Sequence, residues 1–396
     1  MGGVDLLAII FNAVAIGVAA VGIGLILAQP SDGSRRHKRA LVALLAILAV
    51  DFASSIFDLS PAARAAPRFD GASYVLWPWI PLCLWAYVDG LTRIETSARL
   101  GWHSAVAIFG SLCLIPFLLL PDADKLLLTS DAPEANPRTL LALLALMLFV
   151  LAWMAHMLVV GVLIVRRLIA HRRRMRDLLS NVTKVDLRWV DALMAFLGVA
   201  IVVTILDYAS MLTAQRELLD ALGGSLFELV VVVGLVLFGA TQGRAVPEWV
   251  EQIETAALAP MVAPAAEVDE SRYARSSLSA EDIAAILERL DAAMRRGDPW
   301  RDPFLNLKGL AERVATKLYY LTQALNTGER RSFYDYVNGW RARAAAEALA
   351  TSDASVLSIC EDVGFNSKST FNSVFRREIG LTPTAYRKLA VERRAN

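Results

Sequence analysis

The sequence predicts an all-α protein in which a seven-helix transmembrane bundle precedes a soluble, all-helical domain. Its 396 residues are 56% hydrophobic and only 20% charged, whereas soluble chains carry about a quarter charged residues. The charge is also distributed unevenly, because residues 1–242 hold 19 Lys/Arg and 18 Asp/Glu in short clusters between long apolar runs. Residues 243–396 hold the other 21 of each, spread as in a soluble domain. The net charge of +1 therefore averages two different parts and indicates little about partners.

Seven apolar stretches are long enough to cross a bilayer, since a membrane-spanning helix needs about 20 apolar residues. They lie near residues 4–28, 40–60, 72–91, 103–120, 139–165, 189–212 and 222–241. The first lacks the basic start of a signal peptide, with Asp5 in its place, and its apolar core is too long for one. We therefore expect this stretch to be a membrane span.

The distribution of basic residues predicts the orientation of the bundle, because cytoplasmic loops are enriched in Lys and Arg. Three loops on one side, 29–39, 92–102 and 166–188, hold 14 basic residues in total. The loops on the other side hold five. We therefore expect an external N-terminus, and an odd number of crossings then places the soluble domain in the cytoplasm.

Several acidic and aromatic side chains lie inside these stretches, towards their outer ends. A charged side chain at the middle of a membrane helix costs roughly 2.5–3.5 kcal/mol, so acids within the spans suggest a structural or functional role. The candidate signal site consists of Asp58, Trp77, Trp79, Asp207 and Glu228. Acids and aromatic rings together suit a cationic or amphipathic ligand. The alternative is that the acids form hydrogen bonds between helices while the tryptophans belong to an interfacial belt.

The second part of the chain begins with a predicted linker at 243–280, which separates the bundle at 1–242 from a domain at 281–396. The linker contains three prolines and an alanine-rich stretch, as is typical of a tether. A helix is predicted over 281–295, with Ser279 and Asp282 spaced as an N-terminal cap. No alternating strand pattern follows it, so the domain is predicted to be all-helical.

Two helix-turn-helix units are predicted in this domain, at about 305–326 and 355–380, joined by a long helix. In the second unit Gly364 permits the turn and Ser367 can cap the next helix. The side chains predicted to face outward from the second helix of each unit are Thr316, Tyr319, Tyr320 and Gln323 in the first unit and Lys368, Ser369, Asn372 and Arg376, with Arg377 alongside, in the second.

These outward side chains match the chemistry of DNA recognition. Lys and Arg pair with guanine, Asn and Gln with adenine, and Ser with either base. A recognition helix presents such residues to the major groove. Arg341 on the joining helix is a further candidate contact. The alternative is that the basic residues form solvated helix faces.

The segment 305–388 resembles the DNA-binding domain of the AraC/XylS family of bacterial transcription regulators. The resemblance depends on FYDYVNGWRARAAAEALA and on ICEDVGFNSKSTFNSVFRREIGLTPTAYRK. The segments 273–279, 298–303 and 76–92 are similar to parts of a membrane-anchored subgroup with a multi-helix N-terminal domain. Two positions depart from the family pattern: Ala315 replaces a turn glycine, and Lys317 replaces a small capping residue, for which Thr316 is a substitute.

The resemblance implies a one-component regulator in the bacterial inner membrane, whose bilayer-embedded half receives a small-molecule or envelope signal. Its implied partners are double-stranded promoter DNA and, for an activator, RNA polymerase. A homodimer is expected, because the site of one domain is short and a membrane-held pair would gain avidity.

Other classes of function are less well supported. The three cysteines show no metal-ligand spacing, and no metal site or cofactor is predicted. The chain shows no nucleophile–base pair or phosphate loop, so we expect no enzyme. The rival interpretation is a seven-helix receptor or transporter whose cytoplasmic tail docks a protein partner.

Overall fold

The protein is described from a computed structural model, which describes residues 3–29, 36–69, 71–92, 101–128, 136–182, 187–211, 222–242, 246, 250 and 278–395. Within these ranges every regular element is helical, as predicted. The one β feature among them is an isolated antiparallel bridge between Leu179 and Asn306.

The chain divides into two compact units. Unit 1 comprises residues 1–168 and 187–251, and unit 2 comprises residues 169–186 and 252–396. The sequence places the segment 169–186 in the membrane half, whereas the described residues 169–182 belong to unit 2 with the C-terminal helices. Residues 251–277, most of the predicted linker, lie outside the described residues.

Among the described residues of the first part of the chain, seven main helices lie at or near the predicted apolar stretches. They are α1 (Gly3–Ala28), α2 (Arg36–Asp58), α3 (Trp79–Thr92), α4 (Gly101–Cys113), α5 (Pro137–Leu178), α6 (Arg188–Met211) and α7 (Leu222–Gly234). Shorter helical turns lie at Pro61–Ala65, Pro67–Phe69, Ala72–Leu76, Ile115–Leu118 and Asp122–Leu128, and a π-helical turn at Leu235–Gly239 extends α7.

Four helices among the described residues are long and apolar enough to cross a membrane, so the predicted count of seven spans is not confirmed. They are Asp5–Ala28, Arg36–Asp58, Gly101–Leu118 and Pro137–Leu178. The third predicted span is divided into the 3₁₀ turn Ala72–Leu76 and the 14-residue helix α3. Pro78 explains the division, because proline lacks the N–H that a continuous helix needs.

Small residues let the helices of unit 1 approach one another closely. Helix α1 packs against α2 and α7, and α2 packs against α3. The α1 positions Ala8, Ala15 and Ala19 are fully buried. A Cβ atom on Gly22 would lie 2.5 Å from Val236 Cγ2, so a larger residue there would separate α1 from the end of α7. Small residues at such contacts are typical of membrane helix pairs.

Helix α5 is longer than predicted. The sequence suggested a span ending at residue 165 and a basic loop after it, whereas the helix runs for 42 residues to Leu178. Leu168, His171 and Met175 explain the extension, because they are buried at three- and four-residue spacing along one face. The basic residues of this segment are therefore displayed on a helix rather than on a loop.

Unit 2 contains the helices α8 (Ala280–Gly297), α9 (Leu307–Arg313), α10 (Leu318–Ala324), α11 (Phe333–Thr351), α12 (Val356–Asp362), α13 (Lys368–Ile379) and α14 (Pro383–Ala395). A 3₁₀ turn at Pro299–Arg301 follows α8, and a π-helical turn at Leu325–Glu329 follows α10. Ser279 and Asp282 form the expected capping box of α8. One hydrophobic core extends from Ile286 to Phe375 and also receives Leu178 and Val182 from the end of α5.

Candidate nucleic-acid interface

Helices α12 and α13 form the second predicted helix-turn-helix unit. Ser355 caps α12, with its side chain accepting a hydrogen bond from the Ser358 N–H, and Ser367 caps α13 in the same way through Thr370. The turn between the helices contains Gly364 at φ +84°. A Cβ atom there would lie 2.6 Å from the Arg301 carbonyl oxygen, so the turn needs glycine for both its conformation and its close packing.

Helix α13 buries one face and exposes a polar one. Phe371, Val374 and Phe375 are buried in the core of unit 2. The predicted contacts Lys368, Ser369, Asn372 and Arg376 are all exposed on α13. Three of them recur at four-residue spacing, which places them in one row along the helix. This face combines the donors and acceptors that base edges require with cations that attract phosphate.

Arg377 has a different position from its neighbour. Its Nη2 lies 2.9 Å from Asp335 Oδ1 on α11 and 3.1 Å from Glu378 Oε1. A guanidinium held between two carboxylates is already neutralised, so we assign Arg377 to fixing α13 against α11 rather than to reading DNA.

Helices α9 and α10 form the first predicted unit. The Asn306 side chain caps α9 by accepting a hydrogen bond from the Gly309 N–H at 2.9 Å. Ala315, in the turn, has φ +49°, the left-handed region that favours glycine. Lys317 occupies the N-cap position of α10 without a side-chain cap hydrogen bond, so Thr316 does not replace the missing cap.

The outward face of α10 is less open than that of α13. Tyr319 is 60% exposed, and its ring meets that of Tyr320 edge-on at 5.9 Å. Thr316, Tyr320 and Gln323 are half-buried. The Gln323 Oε1 atom is fully buried and accepts no hydrogen bond. Tyr319 is therefore the most accessible of the predicted contacts of the first unit.

Arg341 was expected to contact DNA, and the structure contradicts this expectation, because the residue is only 1% exposed. Its Nε donates to the Trp300 carbonyl at 2.7 Å, and Nη2 donates to the Asp302 carbonyl at 2.8 Å. The other bonds run from Nη1 to Asn338 Oδ1 and the Ser180 carbonyl, and from Nη2 to Ser180 Oγ. All five guanidinium donors are thus occupied within the protein.

The environment of Arg341 is that of a structural residue. Burial lowers the pKa of its guanidinium to about 10, because the charged form loses its hydration there. Its guanidinium carbon lies 5.7 Å from the centre of the Phe365 ring, in the turn of the second unit. Sequence reasoning could not separate this residue from exposed arginines, since its partners are mostly backbone carbonyls, which carry no residue-type pattern.

The comparisons with known proteins agree with this architecture. The sequence profile of a helix-turn-helix domain matches residues 310–389. The chain is 33% identical over 86 residues to the regulatory protein SoxS of Escherichia coli (strain K12), a match that covers 22% of this chain and 80% of SoxS. The chain belongs to the AraC family of helix-turn-helix regulators.

Two other regulators match a similar length of the chain. The regulatory protein PocR of Salmonella typhimurium (strain LT2) is 33% identical over 100 residues, which are 25% of this chain and 33% of PocR. The melibiose operon regulatory protein of E. coli (strain K12) is 30% identical over 93 residues, 24% of this chain and 31% of that protein. No solved structure matches the chain. The profile match begins after Asn306 and does not include Ser180, so parts of unit 2 lie outside the matched profile.

Unit 1 of this AraC-family chain contains a cluster of polar and aromatic side chains around Asp51. Trp77 donates from Nε1 to Asp51 Oδ1 at 2.8 Å, and Ser73 also hydrogen-bonds Asp51. The Trp153 ring lies 5.1 Å from that of Trp77, and its Nε1 donates to the Trp77 carbonyl. Glu228 is close enough to Asp51 for the two carboxyl groups to interact electrostatically.

Of the residues in the predicted signal site, Trp77 and Glu228 lie near Asp51. Asp58, near the end of α2, has an exposed side chain, while Asp51, two turns earlier, is buried. Trp79 is half-buried outside this cluster of contacts, and the side chain of Asp207 lies outside the described residues. The sequence does not include Asp51 in the candidate signal site, because depth along a helix does not reveal which partner faces a residue.

A second polar contact holds α3 to α5. Asp89 is buried, with its Oδ1 3.8 Å from Arg167 Nη2, and Arg167 Nε donates to Thr92 Oγ1 at 3.1 Å. Within the described residues no group of three or more His, Cys, Asp or Glu side chains could hold a metal ion.

Proposed function

We propose that this protein is a one-component transcription regulator of the bacterial inner membrane, which binds promoter DNA through its cytoplasmic AraC-type domain. The observation that carries the proposal is the exposed row Lys368, Asn372 and Arg376 on a capped helix of a family-matched domain. The same chain contains four helices suited to cross a bilayer.

The chemistry of DNA reading follows from the arrangement of α13. Its N-terminal side chains Lys368 and Ser369 and the following Asn372 face base edges in the major groove, where they contact guanine and adenine. Arg376 lies one turn further along and contacts guanine or phosphate. In the first unit Tyr319 adds an aromatic and hydroxyl contact. Helix α11 joins the two units and sets their separation.

The membrane half holds this domain at the inner surface of the membrane. Basic residues on the extended end of α5, such as Arg166 and Arg173, are exposed and suit the cytoplasmic side. The N-terminus is then outside. The protein acts as a homodimer, because the site of one domain is short and a membrane-held pair gains avidity, and it contacts RNA polymerase if it is an activator.

We propose further that the cluster around Asp51 responds to a cationic or amphipathic signal. Asp51 is bonded to Trp77, whose ring packs against Trp153, and a second acid, Glu228, is near. This arrangement offers both charge attraction and cation–π contact. Binding there would shift the positions of α2, α3 and α5.

The first experiment tests selective DNA binding by the full chain in lipid nanodiscs, mixed with sheared genomic DNA of the source organism. The retained fragments are sequenced at low and moderate salt. The double variant Lys368→Ala/Arg376→Ala is compared with Arg289→Ala/Arg296→Ala, which removes the same charge from exposed positions of α8. We expect a few promoters to be enriched by wild type and by the α8 variant but not by the α13 variant.

Two results would contradict this interpretation. Equal, salt-sensitive retention of all fragments by every variant would show sequence-independent electrostatics rather than base reading. Retention of no DNA by a folded chain would favour the rival interpretation, a membrane receptor whose tail docks a protein.

The second experiment tests attachment and orientation. We expect the chain to remain in membranes washed at high pH. A protease should spare the C-terminal domain in spheroplasts and remove it in inverted vesicles. Release by the wash, or cleavage of the domain in intact spheroplasts, would contradict the proposed location.

A further inference from the structure

The peptide that follows the long helix α5 is built into the C-terminal unit. Ser180 is 2% exposed, and its N–H and Oγ both donate to the Leu305 carbonyl, at 3.3 and 2.6 Å. The preceding residue, Leu179, forms the β-bridge with Asn306. Leu178 and Val182 pack against the hydrophobic core of this unit. We call residues Leu179–Val182 the clasp.

The clasp satisfies polar groups that would otherwise be buried without partners. The Ser180 carbonyl accepts hydrogen bonds from Arg341 Nη1 at 3.3 Å and from Asn338 Nδ2 at 3.1 Å. Ser180 Oγ accepts a third, from Arg341 Nη2 at 3.2 Å. Asn338 and Arg341 are 0% and 1% exposed, so water cannot replace the clasp while the domain is closed. Removing it would leave a buried charge and a buried amide with missing partners, which is strongly unfavourable.

The position of the clasp connects it to both helix-turn-helix units. Asn306, the bridge partner of Leu179, is the residue that caps α9 at the start of the first unit. Arg341 lies against Phe365, in the turn of the second unit, and bonds the Trp300 carbonyl. That same carbonyl lies 2.7 Å from the Cβ position of Gly364. The clasp therefore borders the groups that fix each helix-turn-helix unit to the joining helix α11.

The residues just before the clasp approach the start of α11 as well. Arg176 lies over the ring of Tyr334, 5.8 Å from its centre. Asp177 lies close enough to Asp335 for the two like charges to interact. Asp335 in turn pairs with Arg377 of α13. A rotation of α5 about its axis would therefore change the surroundings of the ion pair that holds α13.

We propose that the clasp is a regulatory contact through which α5 controls the DNA-binding domain directly, in addition to the linker at 243–280. When the clasp is docked, all hydrogen-bond donors of Arg341 have partners, and the two helix-turn-helix units are held at a fixed separation. When α5 moves in the membrane, the clasp undocks from unit 2 and the hydrogen bonds of Arg341 to Ser180 break. The two helix-turn-helix units are then no longer held at a fixed separation. The control of DNA binding rests on the proposed function, whereas the docking itself does not.

The test of docking uses the full chain in nanodiscs and the variant Ser180→Ala, which keeps the carbonyl but removes Oγ. Ser352→Ala is the matched control, because Ser352 is exposed and bonds only within α11. We expect amide hydrogen exchange in the peptide covering α11 to accelerate about tenfold in Ser180→Ala, the size set by one missing partner of a buried charge, and to be unchanged in the control. Unchanged exchange in Ser180→Ala would overturn the proposal.

The test of transmission inserts one alanine after Arg173, which rotates the end of α5 by about 100° and advances it by about 1.5 Å. The same alanine inserted after Val262, in the predicted linker, is the control. We expect enrichment of genomic DNA fragments to fall at least tenfold for the α5 insertion and for Ser180→Ala, and to persist for the linker insertion. Persistence in all three would overturn the regulatory role.

The two readouts also separate this proposal from the proposed function. If the wild-type chain enriches no DNA fragment, both the proposed DNA binding and its regulation by the clasp are contradicted. The hydrogen-exchange data still decide whether the clasp docks. If wild type enriches promoters and the clasp variants do so equally, the function stands and the clasp does not control it.

Discussion

Arg377 of α13 and Asp335 of α11 form an ion pair, with 2.9 Å between Nη2 and Oδ1. Glu378 adds a second carboxylate to Arg377 and also lies 3.4 Å from Arg331 Nη1, in the segment that follows the first helix-turn-helix unit. These contacts hold the reading helix α13 to the beginning of α11. Arg376 and Arg377 are therefore adjacent in sequence but differ in role.

Replacing each of these two arginines by alanine should separate stability from DNA binding. Arg377→Ala should lower the free energy of unfolding of unit 2 by at most about 1 kcal/mol, because the pair is partly exposed and screened by solvent. Arg376→Ala should leave that free energy unchanged and reduce the salt dependence of DNA binding by about one counterion. Hydrogen exchange and retention of promoter fragments measure the two effects. A larger loss of stability in Arg376→Ala would contradict the assignment.

The strained turn at Ala315 predicts a stabilising substitution. Ala315→Gly should raise the free energy of unfolding of unit 2 by about 1 kcal/mol, because φ +49° costs a residue with a Cβ atom about that much. Gly364→Ala is the opposite change in the second unit, where both φ +84° and the nearby Arg301 carbonyl oppose a Cβ atom. Slower hydrogen exchange in the first variant and faster exchange in the second would be observed. A destabilised Ala315→Gly chain would show that this turn is not strained.

The buried thiol of Cys360 predicts a pH dependence of stability. Burial, with a smaller contribution from Glu361, raises the pKa of this thiol to about 11. In the unfolded chain the thiol ionises at its ordinary, lower pKa. The contribution of the buried thiol to the free energy of unfolding is therefore fully present below about pH 9. This contribution is lost as the pH rises towards 11. Cys360→Ala should therefore flatten the decline in stability over this alkaline range.

Alkylation provides an independent measurement of the same thiol. Iodoacetamide followed by mass spectrometry of the Cys360 peptide should show little modification of the folded chain at pH 8 and rapid modification in denaturant, since the thiolate is the reactive form. Equal rates in the two conditions would contradict the burial of this thiol and favour a redox-sensing role.

The helix-turn-helix units could be predicted from sequence because their determinants are local. Ser367 caps α13 through the residue three positions later, and Gly364 supplies the turn. The apolar stripes of α13 follow helical spacing, so exposure of Lys368 and Arg376 follows from the buried positions. Such features depend on neighbours within a few residues, which a single sequence displays.

The contacts between distant segments could not be predicted. Ser180 and Arg341 are 161 residues apart, and no residue-type pattern links a serine in a predicted loop to a buried arginine. The sequence likewise predicts too early an end for α5, because the run of arginines at 172–174 is typical of a cytoplasmic loop. The burial of His171 and Met175, four residues apart on one face of the helix, reveals the continuation.

The cluster around Asp51 distinguishes two aspartates of the same helix. Asp51 is buried and accepts a hydrogen bond from Trp77, while Asp58 is exposed seven residues later. Asp51→Asn removes the charge but keeps an oxygen acceptor for Trp77, so the fold of unit 1 should persist. Asp58→Asn is the matched control, because it makes the same chemical change on the same helix.

The probe for this cluster is tetraphenylphosphonium, a lipophilic cation that can reach a carboxylate among aromatic rings. With the full chain in nanodiscs, we expect the cation to raise the thermal unfolding midpoint of wild type and of Asp58→Asn, because a ligand that binds only the folded state stabilises it. The shift should disappear in Asp51→Asn, since the attraction between the cation and the carboxylate is gone. An equal shift in all three chains would mean that the cation binds lipid or another site. The absence of a shift in wild type would contradict the cation hypothesis and leave the proposal of DNA binding by α13 unaffected.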